Sequence, residues 1–503
     1  MGNVGNSNLY SCFSRHFPAP SAVLLTTESG ESFTYGDAEQ RSAQVANVLV
    51  ELGLQEGDRI SVQVEKSPES LWLYLGVIRA GMVYHPLNPA YTDEELGYFL
   101  GDAGPSLFVC DKSRAQQLQS LCDKAGVANL LTLNRDGSGS MVEMAQRCSG
   151  QFDTVDAAVG DLAALLYSSG TTGRPKGIML SHGNLLQNAA VLVDYWGFSG
   201  EDCLLHVLPV FHVHGLFVAI GCVLMSGASM RWLPKFDVPA VLENLPHSTV
   251  MMGVPTYYTR LLAEPAFGAH SCKSIRLFIS GSAPLLTDTF VEFEQRTGQV
   301  ILERYGMSET GMITSNPLDG PRRAGTVGFP LPGVTVRVCG ADNRVLDGGE
   351  AGDLQVKGGN VFAGYWNMPD KTAEDFTADG FFITGDKGLV DEGGYISIVG
   401  RSKDMVISGG LNVYPREIEQ LIDELPGVLE SAVIGLPDPD FGEVVAAVVV
   451  LEEGVQLSGE GIRNAIKVQA ANFKVPKQVF LVASLPRNTM GKVQKNVLRQ
   501  NYS

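Results

Sequence analysis

The sequence predicts an α/β protein: a large N-terminal domain of αβ-layered sheets plus a β-rich subdomain, and a small α+β C-terminal domain. Three observations lead there. Short apolar runs alternate with longer amphipathic segments through the first half. From about Pro330 the texture changes to short alternating β segments between Gly-rich turns. After the polar run at 400–404 a helix–strand pattern resumes as a unit of its own.

The elements follow in order. Residues 38–52 carry apolar side chains at helical spacing, and RISVQV at 59–64 reads as a strand. A helix is predicted over 67–80, an extended segment over 82–88, a helix over 94–100 and a strand over 106–110. LAALLY at 162–167 reads as a buried strand and 182–196 as a helix; 275–280 and 287–298 repeat that pair. This rhythm implies parallel sheets covered by helices. Near the end, 417–425 and 461–473 read as helices, 431–436 and 446–451 as strands. The expected division is an N-terminal domain over 1–400, with its β-rich part at about 330–400, a hinge at 401–404 and a C-terminal domain over 405–503.

The chain has 503 residues, 45% of them hydrophobic and 18% charged, enough for more than one core and little disorder. A net charge of -18 excludes the general basic footprint of a nucleic-acid or anionic-membrane binder, while local cations can still hold a small anion. The eight cysteines form no CxxC pair, so free thiols in a reducing compartment are expected, with neither a zinc site nor a disulfide framework. No apolar run reaches membrane-spanning length. The opening MGNVGNSNLY has Asn6 where a myristoylation motif wants Ser or Thr, and it resembles neither a signal nor a transit peptide. A cytoplasmic protein is expected.

The segment YSSGTTGRPKGIMLSH at 167–182 carries the clearest chemistry. Gly170, Gly173 and Gly177 let the backbone bend and approach a ligand closely. Ser168, Ser169, Thr171 and Thr172 add hydroxyl donors, and successive N–H groups form an anion-binding nest. Lys176 offers a mobile positive charge for phosphate oxygens. The chain contains no Walker A string, GxxxxGK[ST].

Placed straight after a buried strand, this string resembles the signature of the adenylate-forming superfamily, which includes acyl-CoA synthetases, luciferases and peptide-synthetase adenylation domains. Further motifs follow in order along nearly the whole chain. The resemblance implies ATP binding by the phosphate loop, by Ser282 in SGSAP, by Glu303, Arg304, Tyr305 and Gly306 around the adenine, and by Ser308 at the α-phosphate. Glu309 would hold Mg²⁺, a fitting role for a hard carboxylate oxygen. Asp386 and Arg401 would bind the ribose. Lys492 in PRNTMGKVQK would be the catalytic lysine, bridging the attacking carboxylate and the α-phosphate. Relatives rotate a mobile C-terminal domain between adenylate formation and thioester formation; Lys403 matches the hinge, and Ser408, Gly409 and Gly410 match the loop that meets coenzyme A.

The acid is a separate question. LPVFHVHGL at 208–216 resembles the acyl-pocket wall, with His212 at the pocket entrance as a catalytic and substrate-binding residue and His214 as a structural residue. Amino-acid-activating relatives carry Asp at the position of His212, which argues against an amino acid. The runs GVPTYYTRLL at 253–262, IRLFISGSAPL at 275–285, FFITGD at 381–386 and LPRNTMGKVQKNVL at 485–498 most resemble malonyl-CoA synthetases. A malonate bound through one carboxylate leaves a second charge that a cation must meet. Arg260 and Arg276 are the candidates, Arg260 preferred, with Met307 shaping a short pocket. Methylmalonate, acetate or a medium-chain fatty acid are the alternative substrates. An inactive scaffold acting as a binding protein and a luciferase-like oxygenase are the alternative classes.

Overall fold

The computed structural model describes residues 6–167, 175–408, 411–438, 442–470, 472–488 and 491–503. Among these residues the strands form four sheets. A nine-stranded sheet has at its centre Leu302–Met307, Leu277–Ser280, Val250–Gly253, Cys203–His206 and Ser229–Trp232, adjacent and parallel. A seven-stranded sheet is parallel through Leu162–Tyr167, Val83–Pro86, Arg59–Gln63, Leu107–Cys110 and Asn129–Thr132. Helices Tyr35–Glu51 and Pro68–Arg79 belong to the core that joins these layers.

Local chemistry explains the boundaries. Ser67 caps the helix Pro68–Arg79 by accepting from the Ser70 N–H at 3.2 Å, with Pro68 at the first helical position. Thr34 and Asp37 form the same reciprocal cap on Tyr35–Glu51. The strand Leu162–Tyr167 matches the predicted LAALLY, and it is apolar on both faces because layers cover both.

Two expectations need correction. The sheets are not wholly parallel: Leu162–Tyr167 runs antiparallel to Gly177–Ser181, because the short link between them cannot house a crossover helix. The helix predicted over 461–473 ends at Gln469. Ile462 and Ile466 are its buried face, while Val468 is 87% exposed, so no apolar stripe carries the helix further.

The antiparallel strands Val334–Cys339, Gly352–Gly358, Phe382–Val390 and Ile396–Arg401 make a small third sheet. The fourth sheet pairs Val428–Asp438 with Gly442–Leu451 and adds Gln478–Val482 in parallel, with the hairpin Val406–Ser408/Leu411–Val413 at its edge. Helices Pro415–Asp423 and Gly459–Gln469 bury Ile418, Ile422, Ile462 and Ile466 against it.

Candidate active site

His206, Gly253, Ser280 and Glu303 lie at or near the carboxyl ends of adjacent parallel strands, with Ser280 level with both Gly253 and Glu303. In open α/β sheets ligands bind beyond those ends. The chain leaving Ser280 turns sharply: Ser282 has φ 72°, a left-handed conformation costing a non-glycine residue about 1 kcal/mol or more. Its hydroxyl lies 3.4 Å from His214 Nδ1.

Several buried polar atoms at or near these strand ends and in the segment that carries His214 lack partners among the described residues. They are Arg304 Nε and Nη2, His214 Nε2, Ser280 Oγ and Glu303 Oε2. Proteins seldom leave buried polar groups unpaired unless a ligand completes them. Arg304 is 2% exposed. Its guanidinium lies over Gly281, where even a methyl group would stand 2.5 Å from Cζ. Burial pushes its pKa down to about 10, and its charge acts on His212, His214 and Tyr258.

His212 was expected at the pocket entrance, and its imidazole pKa is lowered to about 3 by burial, with Lys492 and Arg304 adding to the effect. Its Nδ1 accepts from the His214 N–H at 3.3 Å. At neutral pH it is therefore an uncharged ring with a donor on Nε2, suited to hydrogen bonding and a poor base. His214, set aside from sequence as structural, faces the same guanidinium.

The residues expected to bind the nucleotide lie on the hairpin Leu302–Met307/Gly311–Ser315 and the third sheet. Tyr305 hydroxyl donates to Asp386 Oδ2, and Arg401 Nε meets Asp386 Oδ1 at 2.9 Å. Gly306, Met307 and Ser308 are half-buried along the turn, and Met307 packs on the main core. Glu309 is buried in the hairpin turn. Burial raises its carboxyl above the usual range, against the pull of Lys176 and Arg401. Lys176 lies 3.5 Å from Asp375 and 4.1 Å over the Tyr365 ring.

Among the described residues no three acids, histidines or cysteines gather as a metal site. A buried single carboxylate still fits Mg²⁺, which commonly takes one or two carboxylates and fills its shell with phosphate oxygens and water.

Lys492 is solvent-accessible inside a cleft. Its surroundings lower its ammonium pKa, burial first and then Arg401, with Asp386 and Glu309 opposing. The Asn488 N–H donates to the Lys492 carbonyl at 2.9 Å, and the Lys492 N–H donates back to Asn488 Oδ1 at 2.9 Å. The C-terminal part of the chain thus brings Lys492 to the same cleft as Arg304, Glu309 and Asp386.

Other predicted site residues lie elsewhere. Arg276 is a correction: it stands at the amino end of Leu277–Ser280, the end opposite the cleft. Its guanidinium is spent on Asp202 at 2.8 Å and on the carbonyls of Trp196 and Gly197. Arg260 lies exposed on the last turn of Pro255–Leu262, beside Tyr257, and shows none of the enclosure expected of a buried clamp. Lys403 is exposed in the turn Ser402–Asp404, which Ser402–Asp353 and Arg499–Asp404 contacts tie down. Ser408 is buried, paired with Gly442. Ser168, Ser169, Gly170, Thr171, Thr172, Gly409 and Gly410 lie outside the described residues.

The Arg276 finding carries an expected result. Burial would raise the Asp202 carboxyl, but Arg276, Thr249 and the Ser199 N–H outweigh it and hold the pKa below the usual range. That stability is present above the unfolded carboxylate pKa and is lost as pH falls through the lower folded value. Arg276→Ala should therefore lower Tm by an amount worth about 1–3 kcal/mol at pH 7, a gap that narrows below about pH 4. Acid preference should not change. Thermal melts at two pH values check the first part, and activity ratios on different acids the second.

Sequence comparisons agree with this layout. The AMP-binding enzyme family matches residues 14–366, and the AMP-binding enzyme C-terminal domain matches 417–492. A malonate–CoA ligase of Arabidopsis thaliana is 33% identical over 94% of this chain and 85% of its own. The mitochondrial malonate–CoA ligase ACSF3 of Xenopus laevis is 34% identical over 99% and 92%. The crystal structure of ATP-bound MatB from Rhodopseudomonas palustris is 52% identical over 99% of both chains, with TM-score 0.97. Apo MatB, at the same identity and coverage, gives 0.87. This chain belongs to the AMP-binding, adenylate-forming enzyme family.

Proposed function

We propose that this chain is an ATP-dependent malonate–CoA ligase. The observation that carries the choice of acid is the buried Arg304 guanidinium, with two unpartnered donors, beside His212 and His214. A buried cation of this kind is costly unless an anion meets it. The second carboxylate of malonate is that anion, and a fork of N–H donors suits it. This gives Arg304 to the acid instead of to the adenine, and it displaces Arg260 and Arg276 from the role expected of them. The similarity to malonate–CoA ligases supports the same choice.

In the first step a carboxylate oxygen of malonate attacks the α-phosphorus of ATP. The bond to the bridging oxygen breaks, and pyrophosphate leaves with the electron pair. Lys492 stabilises the charge gathering on the α-phosphate. Asp386 and Arg401 hold the ribose, Lys176 and the loop at 168–174 the pyrophosphate, and Tyr305 one face of the base. Bound Mg²⁺, held by Glu309, would neutralise phosphate charge. In the second step the thiol of coenzyme A attacks the acyl carbon, its proton is lost to solvent, and AMP leaves. Rotation about Lys403 would bring Ser408–Gly410 to the pocket between the steps.

Eight free cysteines, six of them buried, suit a reducing compartment such as the cytoplasm. Among the described residues no helix is long and apolar enough to cross a membrane.

The test is an acid panel with ATP, Mg²⁺ and coenzyme A, following thioester formation. Malonate should give the highest kcat/KM, with methylmalonate behind it. Faster turnover of acetate or octanoate would refute the diacid assignment while leaving the ligase reading intact.

A further inference from the structure

Lys66 and His206 lie behind the pocket wall and take no part in the chemistry above. Lys66 follows the strand Arg59–Gln63 and is 7% exposed. Its Nζ is 2.7 Å from His206 Nδ1 and 2.8 Å from the His206 carbonyl oxygen, and it sits 4.4 Å over the Trp232 ring. Among the described residues no carboxylate pairs with it. On its other side the His206 ring places Nε2 2.9 Å from the Gly215 carbonyl.

These contacts determine the tautomer. A carbonyl can only accept, so Nε2 carries the proton. In a neutral ring Nδ1 is then a lone pair, and Lys66 must be the donor to it. Burial, with Lys66 next to it, keeps the ring from gaining a second proton.

Gly215 is where this matters. It lies in the π-helical turn His214–Ala219, against Pro209, where a Cβ would come within 2.1 Å of the Pro209 carbonyl. π-Turns are uncommon and need side contacts to persist. The Leu216 N–H donates to the His212 carbonyl at 2.9 Å, so the turn and the two pocket histidines move together.

We propose that Lys66 and His206 are a positioning pair for the acid substrate. By pinning the Gly215 carbonyl they hold His212 and His214 at the depth where an acid carboxylate can reach Arg304. The pair touches neither ATP nor the reacting atoms. The inference rests on the acid pocket proposed above, but not on which acid fills it.

His206→Asn and His206→Gln separate this role from general packing. Glutamine can extend an amide N–H to the Gly215 carbonyl; asparagine is too short to do so. The KM for ATP and the KM for whichever acid the wild-type enzyme uses best are measured separately on the full chain. His206→Asn should raise the acid KM about tenfold, the worth of one buried hydrogen bond. Its ATP KM should stay within about twofold, and His206→Gln should recover most of the loss. If His206→Asn does not fold, Lys66→Met serves: it frees the ring to change tautomer and should raise the acid KM about fivefold with ATP unaffected. An unchanged acid KM, or equal rises in both constants, overturns the proposal. A wild-type preference for an acid other than malonate overturns only the choice of substrate.

Discussion

Lys492→Ala is expected to slow acyl-adenylate formation by about 10²–10³-fold, with ATP affinity changed by no more than about threefold. The lysine is held by its contacts with Asn488 and contributes charge to the cleft beside Arg401 and Asp386. Removing it leaves the Asp386–Arg401–Tyr305 contacts in place. Pyrophosphate release in a single turnover measures the step directly, and an unchanged rate would remove Lys492 from the mechanism. The lowered ammonium pKa adds a second readout. The group is active when protonated, so the alkaline limb of the rate profile should fall below the usual lysine range. Lys492→Arg should not restore the wild-type rate, because a planar fork cannot replace a compact ammonium between two oxyanions.

Arg304→Met should invert acid preference. Malonate kcat/KM should drop by about 10²–10³-fold, the cost of leaving one carboxylate unmet in a buried site. Uncharged short acids should hold steady or improve. Stability should move the other way. The guanidinium is buried with two donors unpartnered, so an apolar side chain of similar length should leave Tm equal or higher. A matched Arg260→Ala variant should do little to either property, since that side chain is exposed. Kinetics on malonate and butyrate with thermal melts checks all of this. A large loss of stability in Arg304→Met would mean that the residue is structural.

Much of the frame was legible in the sequence. Strands such as 59–64 and 162–167 and helices such as 67–80 stand within a residue or two of their predicted ends, because apolar period and Ser or Thr caps mark them locally. The antiparallel turn after 167 depends on a short link, a fact of distance that periodicity does not carry. The site divides in the same way. Asp386, Arg401, Glu309 and Lys492 sit in recognisable strings, and the structure brings them to one cleft. The proposed acid-side role of Arg304 was not legible because that residue lies inside a nucleotide motif. Its side chain turns toward Gly281 and the histidines, a direction set by the neighbouring strand. Arg276 has the right neighbours in sequence and the wrong end of the strand in space. Lys66 and His206 are 140 positions apart, and only the stacking of the two sheets joins them.

The most direct measurement is acid-dependent exchange of labelled pyrophosphate into ATP by the wild-type enzyme without coenzyme A. It isolates adenylation and reads the acid pocket alone. Malonate should support exchange well above acetate, butyrate and octanoate, and Arg304→Met should abolish that advantage. Exchange that is strong with a neutral acid and absent with malonate would contradict the account.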